Sequence, residues 1–219
     1  MGLGRRDFLR LVSLALVGTT MDPLESLKIH DDYYINKKLG LLFEKPADWG
    51  YISVADFGKL KEKQVLGNDT IDKEELWETL GEPACMITKY WIDTPENEGV
   101  FSPTIQVWVN HKSEFDDIPH SSFEEFVELS GEGTSYFLDD FTILEKKPMY
   151  LQFGQPFYER TSTYNFNHVD LSAPVKVVLN LLAIEHNNFY YFINFHECPE
   201  QNQLATEEFE KFKKSIRMV

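Results

Sequence analysis

The sequence is short of cysteine, of basic residues and of long apolar runs, and each shortage excludes something. Cys85 and Cys198 are the only two cysteines in 219 residues. Neither belongs to a Cys-x-x-Cys pair or any other metal-ligand spacing, which excludes a zinc ribbon and a dense disulfide framework. Both sit in apolar, strand-like runs, so two buried thiols are favoured, with a disulfide as the alternative in an oxidising compartment. Lysine and arginine number 21 against 36 acidic residues, a net charge of −15 at pH 7. A polyanion of this kind is repelled by nucleic acid and by anionic lipid; basic proteins and divalent cations are its fitting partners. No apolar stretch approaches the roughly 20 residues needed to span a bilayer, so no stable membrane span is expected in the mature chain. Catalytic signatures are missing too. There is no Gly-x-Ser-x-Gly elbow, Walker loop, Gly-x-Gly-x-x-Gly or His-Glu-x-x-His.

What is there begins at the N-terminus. Arg5-Arg6-Asp7-Phe8-Leu9-Arg10 runs into a short apolar segment that ends at Val17. Paired arginines, one further residue, two apolar residues and a basic one resemble the twin-arginine export motif, with Arg5, Arg6, Phe8 and Leu9 carrying it. A charged region followed by a short apolar one is a signal-peptide pattern. Residues 1–20 are therefore expected to be an export signal, residues 21–31 a leader, and residues 32–219 one domain in the periplasm, a thylakoid lumen or the extracellular space. The signal holds three arginines and one acid, so its removal leaves a chain more acidic still.

Along the domain, strand and helix signals alternate in short pieces. Tyr33–Ile35 and Leu39–Phe43 flank a polar turn, and Pro46 closes the second run because proline cannot donate to a sheet ladder. A third run is expected over Tyr51–Val54. Asp72 and Glu75 cap a helix expected to stop at Gly81. Ala84–Ile92 reads as a strand, and Ile105, Val107 and Val109 alternate on one face of another. Ser122-Phe123-Glu124-Glu125 is a capping box ahead of a helical face made by Phe123, Phe126, Val127 and Ser130. Gly131 is expected to end that helix and Gly131-Glu132-Gly133 to form a loop. Strands follow over 141–153, 156–166 and 174–185. A turn at Glu185–Asn188 leads to the aromatic return strand Phe189–Phe195. The last element is an amphipathic helix near 203–217, with Ala205, Phe209, Phe212 and Ile216 on its apolar side. Neighbouring strands joined by short turns, with helices set apart, give an α+β class: a central antiparallel sheet flanked by helices.

Candidate ligand residues cluster in three places. His30-Asp31-Asp32, Asp116-Asp117 with His120, and His196-Glu197 each combine imidazole with carboxylate, a set that suits zinc or manganese, while carboxylates alone suit calcium. Turn chemistry explains Asp116-Asp117-Ile118-Pro119 equally well. For a basic partner, the acids expected to project from loops are Glu114, Asp116 and Asp117, and Asp139 and Asp140.

Tyr34-Ile35-Asn36-Lys37-Lys38-Leu39-Gly40-Leu41-Leu42-Phe43-Glu44-Lys45-Pro46-Ala47-Asp48-Trp49 resembles the start of PsbP-like domains. The long strand Val175–Ile184, the aromatic strand Phe189–Phe195 and a final helix with Phe209, Phe212 and Ser215-Ile216 resemble their ending. As a pattern the resemblance spans residues 33–217, and its motifs are packing motifs. It implies an α/β/α sandwich around an antiparallel sheet. Members of the family include extrinsic photosystem II subunits, small exported bacterial proteins and a nuclear Ran-binding protein, mostly binding or assembly proteins. Lumenal members commonly use the twin-arginine route. Strong acidity and the lack of a basic docking segment set this chain apart from the photosynthetic members. The reading is an exported binding or assembly factor without enzymatic activity or cofactor. The alternative is a metal-dependent enzyme or hydrolase whose site is gathered from separate loops.

Overall fold

The computed structural model describes residues 27–30, 32–66, 71–74, 76, 81–90, 99–169, 171–202 and 204–219. Arg5, Arg6, Phe8 and Leu9 lie outside the described residues. The chain runs β1 (Leu27–His30), β2 (Tyr33–Asn36), β3 (Leu41–Glu44), β4 (Gly50–Tyr51), α1 (Val54–Lys63), β5 (Gln64–Val65), β6 (Cys85–Thr88) and β7 (Thr104–His111). After a 3-10 turn at Lys112–Phe115 come α2 (Phe123–Phe137), β8 (Asp139–Gln152), β9 (Gln155–His168), β10 (Val175–His186), β11 (Phe189–Glu197), α3 (Ala205–Ser215) and β12 (Arg217–Met218). The larger sheet has the order β4-β6-β7-β11-β10-β9, with β8 and β5 both pairing β9; the smaller has the order β1-β2-β3-β12. Every pairing is antiparallel.

Strand alternation sorts the core into two layers. Ile105, Val107 and Val109 of β7, Leu182 and Ile184 of β10, and Tyr191, Ile193 and Phe195 of β11 face one way. They are covered by Tyr34, Leu41 and Phe43 of the small sheet and by Ala205, Phe209 and Phe212 of α3. Phe195 and Phe209 stack with ring centroids 4.4 Å apart. Trp108, Leu181, Ala183, Tyr190 and Phe192 face the other way, under Phe123, Phe126 and Val127 of α2 and Phe57 of α1. Each large aliphatic or phenylalanine side chain among them contributes about 1.5–3 kcal/mol on burial. The antiparallel α+β class matches the expectation. One covering layer is mixed, however: a small sheet and a helix share it. Aromatic side chains make up much of both layers beneath these covers. Trp108 and Tyr164 are buried, whereas Tyr33 is exposed.

Several local expectations need correction. Val54 opens a helix where a third strand was expected to end. Ser53 Oγ accepts from the Asp56 amide at 3.2 Å and donates to its carboxylate at 2.7 Å, a Ser-x-x-Asp cap that starts α1. The helix expected from Asp72 is described only at residues 73, 74 and 76, with Asp72 accepting from the Glu74 amide at 3.0 Å. The strand expected over 84–92 is β6, ending at Thr88. The expected final helix ends at Ser215, and Arg217-Met218 turns into β12 opposite Leu42 and Leu41.

The largest correction concerns Gly131. It ends nothing, and neither Gly131 nor Gly133 lies in a loop: α2 continues through both to Phe137. A Cβ at Gly131 would stand 2.1 Å from Nη1 of Arg160, which is 4 % exposed. That nitrogen donates to the Val127 carbonyl at 3.0 Å. Burial pulls the guanidinium down to about 10, against the opposing pull of Glu128. Glycine is thus the residue that lets a buried arginine lie against a helix. Alanine here gains about 1 kcal/mol in helix propensity but displaces a buried charge from its one carbonyl. Gly131→Ala is expected to lower stability in urea denaturation by about 1–2 kcal/mol. Combining it with Arg160→Met should recover most of that loss.

Candidate interaction surface

The structure does not bring the two groups of loop acids together. Asp116 and Asp117 are exposed before α2, and Asp139 and Asp140 follow its far end. Fifteen helical residues, roughly 22 Å at 1.5 Å each, separate the pairs. Glu114 is engaged locally: it accepts from the His111 amide at 2.9 Å as part of a capping box. Asp139 accepts from Asn167 at 3.2 Å, and Asp140 pairs with Lys176 at 2.8 Å.

The metal candidates do not converge either. Asp31 lies outside the described residues, and Asp32 pairs with Lys45 at 3.0 Å. His120 spends its ring nitrogens on the Ile118 carbonyl at 2.7 Å and the Tyr190 hydroxyl at 3.3 Å. His196 and Glu197 are consecutive in β11 and so point to opposite faces. His196 Nδ1 meets the Tyr164 hydroxyl at 2.9 Å, while both Glu197 oxygens accept from Thr206 of α3 at 2.9 Å. Among the described residues no group of three or more His, Cys, Asp or Glu is placed to hold a metal. Cys85 and Cys198 are unpaired and buried.

The surface the sequence reading missed is β8. This fourteen-residue strand pairs with β9 and, among the described residues, with nothing on its other side. The opposite edge of the same sheet is β4, two residues long. Short edges are one way proteins blunt unwanted pairing; β8 is long. It also carries exposed apolar side chains: Leu144 is 60 % exposed, Met149 48 % and Leu151 68 %, and Phe153 in the following turn is 69 % exposed. Ile143 and Leu144 are adjacent, which breaks the alternation expected of a strand with one wet face. That pair was the available signal, but it reads equally well as a strand covered on both sides.

Exposure here is not looseness. Phe153 and Gly154 have φ of 51° and 79°, the conformation of a tight two-residue hairpin turn. Alternate side chains of β8 reach inward to α3. Glu159 of β9 accepts from Lys147 at 2.6 Å, from Lys213 at 2.8 Å and from the Tyr150 hydroxyl. Burial alone would raise this carboxyl, but these three donors outweigh it and hold it below the ordinary value. Gln152 Nε2 donates to the carbonyls of Lys213 at 2.9 Å and Ile216 at 3.3 Å. The Arg217 guanidinium lies 3.5 Å from the centre of the Phe153 ring. A cavity of about 160 Å³ opens between this hairpin, His186 and Met218.

No family model matches the sequence, and no curated protein matches it. Solved structures do match. The cyanobacterial PsbP (CyanoP) of Synechocystis sp. PCC 6803 superposes with a TM-score of 0.50 at 10 % identity, over 92 % of this chain and 96 % of that one. A Pseudomonas aeruginosa protein of unknown function, PA94, described as a putative regulator, gives 0.46 at 10 % identity over 70 % and 95 %. LpqN of Mycobacterium tuberculosis, involved in cell envelope biogenesis, gives 0.46 at 9 % identity over 80 % and 81 %. The likeness to cyanobacterial PsbP shows the fold: this chain is an α+β, largely antiparallel protein with a PsbP-like fold.

The buried His196 makes stability depend on pH. Burial lowers the His196 imidazole from 6.5 to about 4. The unfolded chain therefore takes up a proton as pH falls below 6.5, and the folded chain does so only near 4. The contribution to stability is complete above about pH 6.5 and lost on the way to pH 4, by about 3 kcal/mol. Glu159, held low, adds a loss in the same direction; Glu197, held high by burial, opposes it. Urea midpoints across this range should fall, and His196→Gln should flatten the fall.

Proposed function

We propose that the chain is an exported binding or assembly factor without enzymatic activity, working through protein–protein contacts. The observation that carries this is β8, a long strand anchored through Glu159 and Gln152, with one side unpaired among the described residues and with exposed Leu144, Met149 and Leu151. Apolar patches of this kind mark interaction sites more often than chance exposure does. On this reading residues 1–20 are a twin-arginine signal, residues 21–31 a leader, and residues 32–219 one domain of the PsbP-like, helix-flanked sandwich type. Export rests on Arg5-Arg6 and its apolar sequel, and the resemblance of the chain to PsbP-like proteins supports the assembly role. Asp116 and Asp117, beside Glu114, add one acidic surface for a basic partner, and Asp139 and Asp140 a second, separate one past the far end of α2. Exposed ion pairs contribute only about 0–1 kcal/mol each, so the acids steer the encounter while the apolar strand supplies affinity.

Two experiments test this. Fusion of residues 1–25 to a reporter should export it, and Arg5→Lys with Arg6→Lys should abolish export. The full chain with Leu144→Lys and Leu151→Lys should lose the partner that the native chain captures from the exported compartment. Equal capture by that variant would overturn the assignment of β8.

A further inference from the structure

We infer that β8 is where two copies of this chain pair, antiparallel and edge to edge, about a two-fold axis at Lys146. This rests on the reading of β8 as the contact surface and names its occupant. In such a pair, residues equidistant from Lys146 face each other across the axis. Glu145 then meets Lys147 of the other copy, and by symmetry this happens twice. Ile143 meets Met149, and Thr142 meets Tyr150. The register with β9 agrees: Glu145 opposes Thr161 and Lys147 opposes Glu159, so both acid and base project on the α3 side of the sheet. Opposite charges directly across an antiparallel pair attract, and like charges there repel.

Two of the three irregularities of β8 obey the same symmetry; the third, between Asp139 and Thr142, lies outside the span Thr142–Tyr150 that this pairing matches. Its ladder slips between Ile143 and Glu145 and again between Lys147 and Tyr150. Each slip adds one residue to β8, and the two lie on either side of Lys146. Leu144, at the first, therefore faces Pro148, at the second. Proline has no amide hydrogen to lend a ladder, and here it falls where the ladder is already interrupted. Lys146 meets its own copy, but each is neutralised on the α2 side by contact with Glu128.

Lysines, proline and bulges on an edge exclude strands that add at random. That favours a second copy over a foreign strand. A generic strand meets two lysines, a missing amide and two kinks; in a second β8 in two-fold orientation Lys147 meets Glu145 and the kink at Leu144 meets the kink at Pro148. The devices become a specificity filter rather than a block.

The test is the mass of the full chain in solution by light scattering or sedimentation at micromolar concentrations. The native chain should dimerise. Glu145→Lys places lysine against lysine twice and should weaken the dimer at least about tenfold. Lys147→Glu places glutamate against glutamate twice and should do the same. Mixing the two variants restores both opposite-charge pairs, so a mixed dimer should form from two chains that separately stay monomeric. Thermal melts of each variant establish that it folds. A native chain that stays monomeric, or a Glu145→Lys chain as dimeric as the native one, overturns the pairing. A monomer that nevertheless loses partner capture with Leu144→Lys and Leu151→Lys also overturns the pairing, and leaves β8 as a site for a different protein.

Discussion

Glu159 and Arg160 are neighbours in β9, and strand geometry sends them to opposite faces of the sheet. Between them they tie the covers of both faces to the edge half of the sheet. Glu159 gathers Lys147 and Tyr150 from β8 and Lys213 from α3, and so fixes the terminal helix and the edge strand to one side. Arg160 reaches the Val127 carbonyl beneath Gly131, and so fixes α2 to the other. The central strands β7, β10 and β11 are held by apolar contact on both faces and need no such anchors. Near β8 the apolar residues are on the outside, and charge does the holding. Partly buried charges are costly unless fully partnered. Glu159 meets that condition with three donors; Arg160 does not, since its Nε has no partner.

The central sheet was legible in the sequence for a definable reason. Ile105, Val107 and Val109 alternate because one face packs on a small sheet and the other on helices with different demands. The turn at Asn187-Asn188 carries the φ of 52° at Asn187 that its composition suits. The start of α2 was readable: its cap at Ser122 is present, with the hydroxyl accepting from the Glu125 amide at 3.1 Å. Its end was not, because glycine is both a helix terminator and the residue that admits a close neighbour. Only Arg160, 29 positions downstream by its number, reveals which use applies at Gly131. The cap of α1 was visible as Ser53 and Asp56, but it follows an apolar run whose strand signal extends into the helix.

The site was less legible than the fold, and the reason is geometric. Acidic pairs are conspicuous in a sequence, yet folding spends most of them: Glu114 on a cap, Asp139 on Asn167, Asp140 on Lys176. His196-Glu197 looks like a ligand pair only until the strand places the two on opposite faces. Conversely, Leu144, Met149 and Leu151 look like core. Their exposure follows from sheet order, with β8 outermost on β9, and order is set by contacts between strands far apart in the chain.

Edges finally decide what this architecture can do. An antiparallel sheet has two, and each must be shortened, covered or used. At one edge of the larger sheet β4 is two residues long. The smaller sheet ends in β12, also two residues, drawn in by α3. β5 touches β9 only at Asn167 and His168. Only β8 combines length, apolar side chains and an unpaired side among the described strands. It is also held rigid by Glu159 and Gln152, so little conformational entropy remains to be lost when a partner adds to it. A strand that was merely left over would gain nothing from that anchoring. The hydrogen bonds that fix β8 face inward, while its apolar residues are presented outward in a fixed register, the arrangement expected of a surface pre-organised for contact.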